Sequence, residues 1–116
     1  GKKNGILEQT NLDSVFLNAL QTKEEKAIAV VVDRKGSTPV KTGAIMCVNA
    51  LGQSFGTIGG GCGEHEVLRK ALEVLSDKKD MFLSVDMTND FAGEEGMVCG
   101  GTMDVIIRYV PGKVEI

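Results

Sequence analysis

The chain has 116 residues, of which 42% are hydrophobic and 25% are charged, as in one ordinary globular domain and unlike a disordered chain or a coiled coil. A net charge of −3, no Lys/Arg block longer than a pair and only 4% aromatic residues argue against nucleic-acid binding. The longest apolar run, Ala27 to Val32, is too short to cross a bilayer, and with no signal-peptide pattern and three cysteines we expect a cytoplasmic protein with reduced thiols that does not enter a membrane.

The first half of the chain predicts one helix and three strands. Apolar residues with helical spacing indicate an amphipathic helix that ends near Lys23: Leu12, Val15, Phe16, Ala19 and Leu20. The β-branched run Ala27 to Asp33 predicts a buried strand, and turn-forming residues follow from Arg34 to Gly43. Two further strand-like runs, Ala44 to Val48 and Ser54 to Ile58, are spaced for a hairpin with a four-residue loop.

The second half predicts one helix and two strands. The apolar face of the helix comprises Val67, Leu68, Ala71, Leu72, Val74 and Leu75. Strands are expected at Met81 to Asp86 and at Met103 to Val110, with a long polar loop from Met87 to Thr102 between them. The predicted fold is therefore a single α/β or α+β domain with a mixed β-sheet, a hairpin and two main helices.

A glycine-rich loop, Gly56 to Gly63, precedes the second helix. It fails the Walker pattern at Cys62, and it fails the dinucleotide-binding pattern at Glu64. Two interpretations of its backbone remain. It is either an anion-binding nest at a helix N-terminus or a tight turn that needs positive φ angles.

Two cysteines lie next to glycines at the ends of predicted elements. Cys62 is expected at a helix N-terminus, where a thiolate is stabilised, and Cys99 stands in GMVCGGT. We expect the two sulfur atoms to face one shared cleft, although Cys62 could instead be a small buried residue. Cys47 alternates within a strand and is predicted to be buried. Structural zinc is not favoured, because Cys62, His65 and Cys99 supply only three ligands, and His65 is expected on the surface.

Four motifs in order identify a family resemblance: GSTP from Gly36, GAIM from Gly43, GTIGGGCGE from Gly56 and GMVCGG from Gly96. Together they closely resemble the N-terminal domain of the XdhC/CoxI family, the accessory proteins of xanthine dehydrogenase and carbon monoxide dehydrogenase. The resemblance implies that residues 1–116 form this domain without the family's usual C-terminal Rossmann-like domain. Val40 and Ile45 depart from the pattern, because the family usually has basic residues there.

The resemblance implies a cofactor-binding accessory protein rather than a turnover enzyme. Its ligand would be the molybdenum cofactor (molybdopterin), which the protein protects during sulfuration and delivers to a molybdenum hydroxylase. Expected partners are that hydroxylase, a sulfurtransferase and a second copy of the chain. The cofactor-binding residues implied are Gly36, Ser37, Thr38, Lys41, Gly59, Gly60, Gly61, Cys62, Glu64, Cys99, Gly100 and Gly101, with Cys62 and Cys99 as the metal ligands.

Two alternatives stay open at this point. One is a thiol enzyme or sulfur relay in which Cys62 is the nucleophile and Cys99 its partner. The other is an assembly module that no longer binds the cofactor, which the apolar residues Val40 and Ile45 would permit.

Overall fold

The computed structural model describes residues 17–38, 40–58, 61, 63–88, 90–92 and 97–112, with the backbone alone at 90–92 and 97–99. Residues 17–21 are helical, and the part of the predicted first helix before them lies outside the described residues. The remaining elements are β1 (Lys26–Ser37), β2 (Ile45–Asn49), β3 (Ser54–Gly56), α1 (Glu64–Asp77), β4 (Met81–Asp86), β5 (Asp90–Ala92) and β6 (Met97–Val110). No helix among these residues is long and apolar enough to span a membrane.

The strands form a sheet in the order β3-β2-β1-β6-β4, with β5 paired to β6 beside this path. The single α+β domain with its hairpin and two helices is confirmed. The expected mixture of parallel and antiparallel strands is not found, because every described strand pair is antiparallel. The chain crosses from β3 to β4 through α1, and three other strands separate those two, so the crossover produces no parallel neighbours.

The main core lies between α1 and one face of the sheet. The helix buries Val67, Ala71, Val74 and Leu75 against side chains of the sheet, as its apolar spacing predicts. Leu72 is the exception, since it is 41% exposed and lies beside Gly52 of the hairpin loop, at the rim of the contact. The buried strand residues in this core include Ala27, Ala29, Val31, Met46, Val48, Val105 and Ile107.

The hairpin between β2 and β3 is confirmed, and one side chain organises its loop. Asn49 Oδ1 accepts hydrogen bonds from the backbone N–H groups of Leu51 (3.0 Å) and Gln53 (2.9 Å). Gly52 has a φ of +83°, which glycine adopts without steric cost. The loop therefore has both the side-chain acceptor and the glycine that its geometry requires.

Two predicted loops are partly strand. β1 extends to Ser37, into the predicted turn from Arg34, and β6 begins at Met97 rather than at Met103. The two extensions pair with each other, Gly36 opposite Gly101 and Ser37 opposite Gly100. Local glycine content favours loops, but a cross-strand partner stabilises these segments in extended form. β5 also lies within the predicted loop.

Candidate functional site

The β1–β6 ladder brings together two glycine motifs that are far apart in the sequence. Gly36 and Ser37 lie directly opposite Gly101 and Gly100. Thr38 follows at once, and its Cγ2 atom would lie 3.3 Å from a Cβ atom placed on Gly101. Five of the predicted site residues therefore share one end of the ladder, which we call the glycine edge (Gly36, Ser37, Thr38, Gly100 and Gly101). Ser37 and Gly100 are exposed, so this edge is accessible from solvent.

Close backbone approach explains why glycines stand at this edge. A Cβ atom on Gly101 would collide with the carbonyl oxygen of Lys35, and one on Gly36 would lie 3.0 Å from the carbonyl oxygen of Gly100. Gly36 also has a φ of +85°. The strand pairing therefore requires both glycines, of which Gly36 is exposed and Gly101 is buried.

The glycine-rich loop reaches the sheet next to this edge. Gly63 is the N-cap of α1 with a φ of 71° and no side-chain cap. A Cβ atom there would lie only 2.6 Å from Cε of Met103, which is two residues along β6 from Gly101. The predicted need for positive φ angles is met at Gly61 (105°) and Gly63, and at Gly61 no atom lies within 4 Å of the Cβ position.

The carboxylate of Glu64 points back into this loop. Its Oε2 atom accepts hydrogen bonds from Thr57 Oγ1 at 2.5 Å, from the N–H of Ile58 at 3.2 Å and from the N–H of Gly61 at 3.3 Å. Two of the N–H groups that a bound anion could use are therefore satisfied by the protein itself. Glu64 is among the residues predicted for the site, whereas Thr57 is not, because a single hydroxyl before the glycines forms no recognisable motif.

The structure leaves the predicted thiol pair untested. Gly59, Gly60 and Cys62 lie outside the described residues, and Cys99 is described by its backbone alone, opposite Asp90 in the β5–β6 pair. Cys47 is completely buried, as predicted, and this burial raises the pKa of its thiol. In the part of the chain that the structure describes, no group of three His, Cys, Asp or Glu residues could hold a metal ion. His65 is exposed on α1, as expected.

The cations near the glycine edge lie on β1 and on the connection after it. Lys35 is exposed on β1 opposite Thr102, and Lys41 is exposed in the connection to β2. Val40, where the resemblance led us to expect a basic residue, is completely buried in the main core. An apolar side chain at that position therefore contributes to packing and cannot contact a ligand in solvent.

A polar cavity of about 320 Å³ lies beside the glycine edge, across β1, β6 and β4. Its charged lining has three carboxylates and two cations: Asp33, Asp86, Asp104, Arg34 and Lys35. Asp104 accepts a hydrogen bond of 2.7 Å from Ser84, and hydrogen bonds from the N–H and hydroxyl of Thr88 lower the pKa of Asp86. The excess of carboxylates disfavours an anion here. Sequence reasoning missed this cavity because its residues come from three strands.

Comparison with known proteins identifies the family to which the chain belongs. The sequence model of the XdhC and CoxI family matches residues 19–86, more than half of the chain. The chain belongs to the XdhC and CoxI family. The predicted family resemblance is thereby confirmed.

Individual relatives support this assignment. The chain is 37% identical over 97 residues to protein YqeB of Escherichia coli (strain K12), covering 81% of this chain and 18% of that protein. It is 28% identical over 97 residues to a probable xanthine dehydrogenase subunit from Bacillus subtilis (strain 168), covering 82% and 29%. A crystal structure named as a xanthine dehydrogenase from Bacillus halodurans matches with a TM-score of 0.68 and 25% identity, over 84% of this chain and 30% of that one. The chain thus spans less than a third of the length of each of these relatives.

Proposed function

We propose that this domain is part of an accessory protein that binds the molybdenum cofactor and helps its sulfuration and insertion into a molybdenum hydroxylase. The observation that carries the proposal is the glycine edge, where motifs from opposite halves of the chain meet and where Gly36, Ser37 and Gly100 are exposed. Family membership and the xanthine dehydrogenase names of two relatives support the choice of cofactor and client.

The chemistry of the glycine edge suits the organic part of such a cofactor. A pyranopterin carries polar ring edges and a phosphate, which need hydrogen-bond donors at close range and cations nearby. Ser37 and Thr38 supply hydroxyl groups, Gly36 and Gly100 allow close approach to the backbone, and Lys41 is exposed on the connection that follows. We place the pterin and phosphate here rather than in the neighbouring acidic cavity.

The metal would need soft ligands, which oxygen-rich side chains do not provide. Molybdenum is thiophilic. Cys62 directly follows Gly61 in the first glycine motif, and Cys99 directly precedes Gly100 in the second. We propose these thiols as the residues that face the metal, while the protein's remaining groups orient the pterin and limit access of water. A sulfurtransferase would then act on the cofactor held in this way.

The proposal is tested by purifying the protein anaerobically from a host that makes the cofactor. Bound pterin is measured by fluorescence after oxidation, and molybdenum is quantified in the same sample. Ser37→Asp places a carboxylate on the glycine edge, and a like charge about 4 Å from the phosphate costs about 1 kcal/mol even in water, so we expect several-fold less pterin. Ser76→Asp adds the same charge to an exposed position on α1 and should retain wild-type binding.

Cys62→Ser tests the thiol part of the proposal. Molybdenum content should fall, because the thiolate that would face the metal is removed. The unfolding midpoint should stay close to that of the wild type, because a thiol in this loop contributes little to the packing of the core. Pterin and molybdenum absent from the wild type would contradict the proposal and favour an assembly module without cofactor. Retention of both by Cys62→Ser would remove the role of this thiol.

We also propose that the protein acts as a homodimer, since two-fold dimers are the commonest assembly of such chains. Light scattering at micromolar concentration should then give twice the mass of the chain. A monomer mass over the whole concentration range would contradict this.

A further inference from the structure

Two acidic residues in the first turn of α1 have different partners. Glu66 pairs with Arg69 one turn along the helix surface, with oxygen to nitrogen distances of 2.7 and 3.0 Å. Glu64 instead turns away from the helix and contacts the loop before it. Both carboxylates are favoured by the positive end of the helix dipole, so the dipole does not explain why Glu64 makes these contacts.

The donors to Glu64 come from both ends of the loop. Thr57 and Ile58 directly follow β3, whereas Gly61 stands three residues before Glu64. One carboxylate oxygen therefore connects the end of β3 to the start of α1. Hydrogen bonds to a carboxylate are stronger than those between neutral groups, so this connection holds Ile58 and Gly61 in place relative to α1. Ile58 is itself anchored, because its side chain is buried in the main core.

We propose that Glu64 is the positioning residue of the glycine-rich loop and does not contact the ligand. Its carboxylate holds Thr57, Ile58 and Gly61 in position, and it occupies the N–H groups of Ile58 and Gly61 so that an external anion cannot use them. An anion bound by this domain would then use donors other than these two, such as those of the glycine edge. The assignment goes beyond the proposed function and does not depend on it, since it follows from the contacts of Glu64 alone.

The experiment measures the two loop amides directly in ¹⁵N-labelled protein. In Glu64→Ala, hydrogen exchange at Ile58 and Gly61 should accelerate at least about tenfold, while the amides of the β1–β6 ladder keep their wild-type rates. Glu64→Gln retains an acceptor oxygen without the charge and should restore part of the protection. Glu66→Gln is the matched control, because it removes the same charge two residues away and should leave both amides unchanged.

Inorganic phosphate provides a second readout, which tests whether the two amides are available to an external anion. Phosphate should leave the chemical shifts of the Ile58 and Gly61 amides unchanged in the wild type, because Glu64 already holds them. Phosphate-dependent shifts of these two amides in the wild type would overturn the assignment. Equal exchange rates in Glu64→Ala and Glu66→Gln would overturn it as well.

If Glu64→Ala does not fold, the comparison is made between Glu64→Gln and Glu66→Gln. Faster exchange at both loop amides in Glu64→Gln supports the assignment, and equal rates refute it. Cofactor content measured on the same proteins keeps the two proposals separate. A wild type without cofactor refutes the proposed function, whereas the exchange pattern alone decides the role of Glu64.

Discussion

Gly36 lies directly opposite Gly101 in the β1–β6 ladder, and a methyl group would be tightly confined at Gly36 and would collide with the backbone at Gly101. The collision differs between the two, since a Cβ atom on Gly101 would meet the carbonyl oxygen of Lys35 while Gly101 itself keeps an ordinary φ angle. Steric demand and backbone conformation can therefore be separated by experiment at this edge.

Gly101→Ala should destabilise the domain by about 2 kcal/mol or more, because the backbone of β1 must move to admit the methyl group. Gly43→Ala is the comparison, with a φ of +92° but no atom within 4 Å of the Cβ position. That change should cost only about 1 kcal/mol, from the left-handed conformation alone. Urea unfolding of both variants measures the two losses of stability. A smaller loss for Gly101→Ala than for Gly43→Ala would contradict the close approach of the Lys35 carbonyl oxygen to Gly101.

The acid stability of the domain should depend on Tyr109. Its hydroxyl donates a hydrogen bond of 2.7 Å to Glu25, and with a second bond from Lys78 at 3.1 Å this lowers the pKa of Glu25 below 4.5. A depressed carboxylate pKa stabilises the folded state above pH 4.5, and the contribution is lost as the pH falls through the folded-state pKa. Tyr109→Phe should therefore lower the urea midpoint at pH 7 and lower it less at about pH 3. An equal loss at both pH values would mean that the hydrogen bond to the ionised carboxylate is not the cause.

Cys47 should react most slowly of the three cysteines. Burial raises the pKa of its thiol, an effect that the charge of Lys26 opposes only in part, and the side chain is inaccessible in the folded state. Peptide mass spectrometry after brief treatment with iodoacetamide should find Cys62 alkylated first. Modification of Cys47 before Cys62 in folded protein would contradict the expected helix N-terminal thiolate.

Asn49→Ala should lower stability by about 1 to 2 kcal/mol, because two backbone N–H groups of the hairpin loop lose their acceptor. Gln53→Ala is the control, since it removes only the side-chain contact with Asn49 Nδ2 at 2.8 Å. Thermal unfolding of the two variants compares them. Equal effects would mean that the loop does not need the Asn49 acceptor.

Periodic apolar residues made several elements predictable. The bounds of β4 are those expected from Met81 to Asp86, and α1 buries most of its predicted face. Extension of β1 and β6 into glycine-rich segments was not predictable from local composition. Those extensions pair with each other, Gly36 opposite Gly101, which is a long-range relationship that local composition does not contain.

The candidate site also has a part that the sequence predicts and a part that it does not. Glycine motifs and the family resemblance indicated which residues matter, and the ladder then placed Gly36, Ser37, Gly100 and Gly101 together. The inward turn of the Glu64 side chain could not be foreseen, since a first-turn acid is equally expected to face solvent. That choice depends on donors at Thr57 and Ile58, whose positions only the folded loop defines.

The central pair of the sheet joins the two ends of the described chain, which bears on the order in which the sheet can assemble. β1 and β6 are the first and last strands described, and their ladder aligns Lys26 with Val110. Pairings between such distant segments require closure of a long chain loop and are characteristic of slow-folding topologies. On the ribosome, β1 and β2 can form early, but β4 has no neighbour in the sheet until β6 has left the exit tunnel. Until then the edges of β1 and β4 that β6 will cover are unpaired, and unpaired strand edges are the surfaces through which incomplete domains associate with other chains.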